Sequence, residues 1–249
     1  MTDLASYAGY AALGILPSLI WLFFYLHKDA HPEPKKLVFN VFFWGVMAGP
    51  AAILLQLSAR WLGNMTTDWP SFLKDLGYRD WRFFFNILLL APVAEECLKY
   101  AVVRWKILKN PAFDEPLDAM LYLIISALGF AAIENSLNIF FLTDLRIETA
   151  LTHTLARFLS ATLLHALSSG ILGYFLARSL FDSEKRKRLL FVGFLAAISI
   201  HSFYNLLAWL METEKLFAGL AMAGLLAGLT VLVSWQFRRL KKQLTICKI

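Results

Sequence analysis

The sequence has few charged residues, few cysteines, and neither an internal repeat nor a low-complexity segment. Only 17% of the 249 residues are charged, whereas 59% are hydrophobic. Water-soluble domains carry about 25% charged residues, so this composition excludes an ordinary soluble globular fold. One of the two cysteines, Cys97, lies inside an apolar run and the other, Cys247, lies near the carboxyl terminus. A disulfide framework is therefore not expected.

Three signatures of well-known hydrolases are also absent. The chain has no HExxH zinc-helix motif and no GxGD aspartyl motif. The segment LSSG at 167–170 lacks the first glycine of a GxSG serine elbow. These absences exclude the zinc-helix, GxGD-aspartyl and serine-elbow solutions to hydrolysis.

The hydrophobic residues are arranged in long runs. Crossing the hydrocarbon core of a bilayer requires about 20 predominantly apolar residues. About seven stretches qualify, at 5–26, 37–59, 82–104, 119–142, 155–177, 189–210 and 216–237. The sequence therefore predicts an all-α polytopic membrane protein, a bundle of about seven transmembrane helices, with residues 1–249 as one integral-membrane domain. The longest remaining piece, about 60–81, is predicted to be an amphipathic segment at the headgroup level.

Basic residues alternate between the loops. They are abundant after the first, third, fifth and seventh runs and scarce after the others. The positive-inside bias therefore predicts an external amino terminus and a cytoplasmic carboxyl terminus. The net charge of +6 is dispersed over helix ends, which favours contact with anionic membrane lipid and not with nucleic acid.

Ionisable side chains interrupt four of the predicted spans. A charge at the centre of a membrane helix costs roughly 2.5 to 3.5 kcal/mol, which must be offset by pairing, by water in a cavity, or by a metal ion. At about 1.5 Å per residue, the polar groups of the third to sixth helices lie roughly 12 to 20 Å below the outer surface. We therefore expect them to form one intramembrane polar site. They are Glu95, Glu96 and Lys99 in the third run, Glu134 in the fourth, His165 in the fifth and His201 in the sixth.

The spacing along the third run separates the two adjacent glutamates. Lys99 is four residues beyond Glu95 and three beyond Glu96, so it can pair with either. Neighbouring positions on a helix point about 100° apart. We therefore expect one carboxylate to face the cavity and the other to be held by Lys99 or by a neighbouring helix.

Two kinds of hydrolytic chemistry fit these residue types. In the first, a carboxylate and an imidazole activate water, with amide donors from Asn135 and Asn205 orienting the intermediate. In the second, a zinc ion carries the reacting water. Its ligands would be Glu95, Glu134, His165 and His201. The residues alone leave both alternatives open.

Four ordered motifs resemble the PrsW family of intramembrane proteases: EECLK (95–99), GFAAIEN (129–135), RFLSATLLHALSSGILGY (157–174) and HSFYN (201–205). The segments KDAHPEPKK (28–36) and DEPLDAMLY (114–122) resemble that family too. The family is distantly similar to the type II CAAX prenyl endopeptidases, which share the double glutamate and a final HxxxN motif. Here a lysine closes the first motif where those enzymes carry arginine.

The resemblance implies an endopeptidase of the bacterial plasma membrane. Its substrate would be a single-pass membrane protein of the anti-sigma-factor class, cut on the extracytoplasmic side in a site-1 cleavage. The implied site comprises Glu95, Glu96, Lys99, Glu134, Asn135, His165, His201 and Asn205. Arg157 and Asp118, which lie at predicted helix ends, are expected to be surface or interface anchors.

Two other classes of function fit a buried polar layer. A proton- or cation-coupled transporter uses buried Glu, Lys and His relays, but no inverted repeat or pair of interrupted helices is evident here. A non-catalytic membrane adaptor would use the polar residues only to fix helix packing.

Overall fold

A computed structural model describes residues 4–29, 31–65, 84–141 and 146–242. Secondary structure within these ranges is helical, which confirms the predicted all-α class. A π-helical turn at Asn86–Leu90 runs directly into one of the α-helices. The α-helices are α1 Leu4–Leu26, α2 Lys35–Met65, α3 Ala91–Lys106, α4 Pro116–Phe140, α5 Ile147–Leu159, α6 Ala161–Phe181, α7 Arg186–Leu210 and α8 Lys215–Leu240.

Six helical stretches of the described residues have the length and apolar composition to cross a membrane. They belong to α1, α2, α4, the α5–α6 pair, α7 and α8. The third run predicted from sequence forms the π-helical turn and α3, and carries the charges of Glu95, Glu96 and Lys99. The protein is therefore a multi-pass membrane protein. Of the amphipathic segment predicted at 60–81, residues 66–81 lie outside the described ranges.

Helix α4 lies at the centre of the bundle, and 94% of its most apolar stretch is buried. It packs against α1, α2 and α6. Glycines let these helices approach closely, because a side chain would not fit between the backbones. A Cβ atom added to Gly129 would lie 2.1 Å from the Phe42 carbonyl oxygen of α2, and one added to Gly173 would lie 2.5 Å from the Cα of Met120. Small residues thus set the spacing around the central helix.

The fifth predicted span is divided in the structure. Instead of one helix over 155–177, α5 ends at Leu159 and α6 begins at Ala161. Ser160 between them has φ −121° and ψ −88°, outside the helical region. Its hydroxyl donates a hydrogen bond to the Ala156 carbonyl, 2.7 Å away. A periodic apolar pattern continues across this break, so the pattern could not reveal it.

The first residues of α4 are fixed by a buried carboxylate. Asp118, expected to be a surface anchor, is instead 3% exposed. Its Oδ2 accepts the backbone N–H groups of Asp114 and Glu115, 3.0 and 2.9 Å away. Glu115 completes a reciprocal capping box at this helix start. The expectation for Asp118 was wrong because it caps the helix from inside the fold.

The loop between α1 and α2 is tied to the same end of α4. The Tyr122 hydroxyl donates a hydrogen bond to Glu33 Oε2, 2.5 Å away. Burial raises the pKa of Glu33 to about 8, opposed in part by the Tyr122 hydrogen bond and reinforced by the nearby charge of Asp118. Glu33 is therefore more easily protonated in the folded protein than in the unfolded chain.

Gly129→Ala is expected to destabilise the bundle, because the new methyl group collides with the α2 backbone. Overpacking of this kind costs about 1 to 3 kcal/mol. Gly224→Ala in α8 is the matched control, since its Cβ would have no heavy atom within 4 Å. Thermal unfolding in detergent measures both changes. Equal unfolding temperatures for the two variants would contradict the close approach of α2 and α4.

Glu33→Gln is expected to change how stability depends on pH. Between its ordinary pKa and about 8, the folded protein binds more protons at Glu33 than the unfolded chain does, so wild-type stability falls as pH rises through this window. Glutamine cannot ionise, so the variant lacks this loss. The unfolding temperature of the variant minus that of the wild type should therefore increase from pH 5 to pH 9. Glu184→Gln, at an exposed position, is the control and should follow the wild-type curve. Parallel curves for Glu33→Gln and the wild type would refute the expectation.

Candidate functional site

Glu96 and Lys99 form an ion pair in the interior of the bundle. Both side chains are 0% exposed, and Lys99 Nζ lies 2.8 Å from Glu96 Oε1. The hydroxyls of Ser168 and Ser169 on α6 donate to the two Glu96 oxygens at 3.2 and 3.0 Å. The helical spacing of three residues explains the pair, and the serines satisfy the remaining acceptor capacity. Glu96 is thus the carboxylate that the fold holds, as expected for one of the two glutamates.

Lys99 also determines how His165 is protonated. Its ammonium lies 2.8 Å from His165 Nδ1. Since an ammonium only donates hydrogen bonds, Nδ1 must be the acceptor and the ring proton must lie on Nε2. That nitrogen is 2.6 Å from Glu134 Oε2. Both nitrogens of His165 are therefore engaged, one with a cation and the other with a carboxylate.

Glu134 is held from α5 by a residue that sequence reasoning placed outside the site. Arg157 Nη2 donates to Glu134 Oε1 at 2.7 Å, and its Nε donates to Asn135 Oδ1. Arg157 was expected to be a surface or interface anchor outside the site, and this was wrong, because its guanidinium donates to Glu134 and Asn135 inside the cluster. One signal was available: Arg157 falls inside the predicted run 155–177, as the other ionisable residues fall inside theirs.

His201 brings the two glutamates of α3 together. Its Nδ1 lies 3.1 Å from Glu96 Oε1, and its Nε2 lies 3.7 Å from Glu95 Oε2. Its ring is edge-on to that of His165, with 5.1 Å between centroids. A carboxylate at Nδ1 favours the tautomer with the proton on that nitrogen, which directs the lone pair of Nε2 toward Glu95.

Glu95 is the member of the cluster with unused hydrogen-bonding capacity. Its Oε2 atom is buried without a hydrogen-bond partner, and the nearest cation described, Lys99 Nζ, is 3.7 Å away. Glu95 and Glu134 line a cavity of about 180 Å³ between α2, α3 and α4. The other lining residues are mostly apolar: Gly49, Ala52, Ile53, Gln56, Phe130, Ile133 and Leu137. A carboxylate that lines a cavity and has a buried oxygen without a partner among the described residues is suited to bind water or a cation.

The donor atoms around Glu95 fit a metal ion. One ligand atom each from Glu95, His165 and His201 lie within 4.8 Å of one another. Carboxylate oxygen and imidazole nitrogen are the ligand types of catalytic zinc sites, which commonly use three protein ligands. Glu134 lies outside this set and is hydrogen-bonded to His165 and Arg157. For His165 to bind a metal ion, it must first release Lys99 or Glu134.

The side-chain N–H groups of Asn135 and Asn205 donate hydrogen bonds to other helices of the bundle. Asn205 Nδ2 donates to the Ile87 carbonyl of the π-helical turn at 2.8 Å. Asn135 Nδ2 donates to Thr162 Oγ1 at 2.9 Å. The first joins α7 to the turn before α3, and the second joins α4 to α6. Their action as donors to a reaction intermediate stays a prediction.

These observations define a multi-pass membrane protein with a buried carboxylate and histidine cluster beside a cavity between three helices. The sequence profile described as "PrsW family intramembrane metalloprotease" matches residues 33–235. The chain therefore belongs to the PrsW family of intramembrane proteases, which confirms the resemblance noted from the motifs.

Several proteins named "Protease PrsW" are similar over most of their length. The one from Geobacillus kaustophilus is 29% identical over 213 residues, covering 85% of each chain. The one from Oceanobacillus iheyensis is 27% identical over 192 residues, 77% of this chain and 79% of the relative. The Bacillus subtilis protein is 26% identical over 196 residues, again 77% and 79%. No solved structure shows a significant match.

The two glutamates of α3 should differ sharply in their effect on stability. Glu96→Gln removes the closer partner of a fully buried ion pair and leaves Lys99 only the Glu95 carboxylate, 3.7 Å away; breaking a buried pair in this way costs about 3 to 5 kcal/mol. Among the described residues Glu95 makes no hydrogen bond and only this longer contact with Lys99, so Glu95→Gln should cost much less. Thermal unfolding of the two purified variants in the same detergent compares them directly. If Glu95→Gln lowers the unfolding temperature more than Glu96→Gln does, then Glu96 is not the glutamate that stabilises the bundle.

Proposed function

We propose that this protein is an intramembrane endopeptidase in which Glu95 lies at the reacting centre. The proposal is carried by Glu95, which lines the cavity and whose buried Oε2 has no hydrogen-bond partner among the described residues. One carboxylate oxygen of Glu95 and one nitrogen each of His165 and His201 lie within 4.8 Å of one another. A water molecule in this cavity would donate a proton to Glu95 while its oxygen attacks a peptide carbonyl and forms a tetrahedral intermediate. When that intermediate collapses, the C–N bond breaks and the protonated Glu95 returns its proton to the leaving amine. Membership of a protease family supports hydrolysis over transport and over an adaptor role.

The surrounding residues have different tasks in this proposal. Glu96 and Lys99 neutralise each other and hold His201 and His165 in place. Arg157 holds Glu134 at the far side of the cavity. In the metal-free alternative these partners are already positioned before substrate arrives, so little reorganisation is needed during the reaction.

Zinc is the metal that this donor set would suit. Glu95, His165 and His201 would hold it, with Glu96 as the carboxylate partner of His201 Nδ1. A bound zinc ion lowers the pKa of its water to about 7 and polarises a carbonyl group. The alternative in which Glu95 and the histidines activate water without a metal uses the same residues, and metal analysis separates the two.

The substrate in this proposal is a single-pass membrane protein. The mostly apolar lining of the cavity, between helices that cross the membrane, suits a peptide segment that arrives from the bilayer. From the family resemblance, we further propose that the substrate is an anti-sigma factor. It would be cut on the extracytoplasmic side of the bacterial plasma membrane. The basic residues at the ends of α1, α3, α6 and α8 support an orientation with the carboxyl terminus in the cytoplasm.

Glu95→Gln and His201→Ala are each expected to lower peptide cleavage by at least 100-fold, the usual contribution of a positioned acid or base. The assay uses purified protein with a single-pass membrane substrate, after thermal unfolding has shown that each variant is folded. His27→Ala, an exposed loop residue, is the matched control and should cleave normally. Undiminished cleavage by folded Glu95→Gln would refute the proposed centre.

Metal dependence is tested by elemental analysis and chelation. If zinc is held as proposed, purified protein should contain about one equivalent, chelation should abolish cleavage, and added zinc should restore it. Glu95→Gln and His201→Ala should lower the zinc content, whereas His27→Ala should not. Full activity in metal-free protein would select the metal-independent alternative.

A further inference from the structure

A second opening lies on a different face of the bundle. It is a groove of about 410 Å³ between α1 and α8. Its walls are mainly apolar and aromatic, with Trp21 and Phe24 on α1 and Val233 and Phe237 on α8. None of its lining residues belongs to the cavity beside Glu95, which is enclosed by α2, α3 and α4. The groove is therefore a separate site.

The inner part of the groove is held in shape by two aromatic rings. The Trp21 and Phe158 rings stack with 5.4 Å between centroids and 26° between planes. The Trp21 indole N–H also donates to the Phe158 carbonyl oxygen at 3.0 Å. A large apolar ring with its polar N–H satisfied is suited to an apolar ligand. The groove thus presents an ordered apolar wall.

The end of the groove at the carboxyl termini of α1 and α8 is positively charged. Among the described residues that line it, the charged ones are Lys28 and Arg238, and both are exposed. Lys241 lies beside them, because its Nζ donates to the Lys28 carbonyl oxygen at 3.0 Å. Lys28 lies just beyond the end of α1, and Arg238 lies in the last turn of α8. These cations therefore lie at the boundary between the apolar bundle and the aqueous phase.

We propose that this groove binds an anionic phospholipid, with an acyl chain between α1 and α8 and the phosphate at Lys28 and Arg238. An apolar channel along membrane-spanning helices matches the chain, and two exposed cations at its end match the headgroup. The charge at one end distinguishes this occupant from a neutral lipid or an apolar transmembrane helix. The proposal does not depend on the proteolytic activity.

The charge match is tested with the purified full-length protein and phosphatidylglycerol or phosphatidylcholine, with bound lipid counted by native mass spectrometry. Wild-type protein should retain phosphatidylglycerol preferentially. The Lys28→Gln/Arg238→Gln double variant should bind it about tenfold more weakly, since each basic residue contributes to headgroup attraction. Lys187→Gln/Arg188→Gln is the matched control: it removes two exposed charges outside the groove and should bind normally.

The acyl-chain position is tested by fluorescence quenching with brominated phosphatidylglycerol. Trp21 should contribute a quenched component that is absent from Trp21→Phe. Ser234→Phe, which fills the groove without changing charge, should reduce both the quenching and the retained lipid. Equal retention of the two lipids, or equal loss in both double variants, would overturn the proposal. A second protein copy or a substrate helix found in the groove in place of lipid would also overturn it.

Discussion

The site depends on the neutralisation of Glu96 inside the bundle. An unpaired carboxylate at this depth would be strongly destabilising, because neither lipid nor apolar side chains can solvate it. Glu96 instead has an ammonium, two hydroxyls and an imidazole around it, contributed by α3, α6 and α7. These interactions are satisfied only when the three helices adopt one relative position. The same contacts that make the charge tolerable therefore fix the geometry of the cluster.

Because Glu96 takes these partners, its neighbour is left without them. Adjacent residues on a helix point about 100° apart, so the backbone that directs Glu96 to α6 and α7 directs Glu95 toward the cavity beside α2 and α4. Two chemically identical side chains thus have different surroundings. Glu96 is fully hydrogen-bonded and connects α3, α6 and α7. Glu95 has an oxygen without a partner among the described residues and lies near His165 and His201.

Much of this arrangement follows from the sequence, because ionisable residues in apolar runs must find one another. The length of the apolar runs predicted the helical class, and the need to pair charges predicted one shared site. The structure brings Glu95, Glu96, Lys99, Glu134, His165 and His201 together. Features set by tertiary contacts were not predictable. The break at Ser160 does not interrupt the apolar pattern, and Asp118 is buried by a cap that depends on the preceding loop. Asn205 bonds to a π-helical turn that no periodicity indicates.

The break at Ser160 gives the last turn of α5 contacts in two directions. Arg157 reaches inward to Glu134 and Asn135, while Phe158, one residue further, stacks on Trp21 in the groove between α1 and α8. A continuous helix through 155–177 would carry these neighbours along a different path. Because consecutive residues share one backbone turn, a displacement of Phe158 must also move Arg157. The packing of the groove and the position of Glu134 therefore both depend on the end of α5, although the two openings share no lining residue.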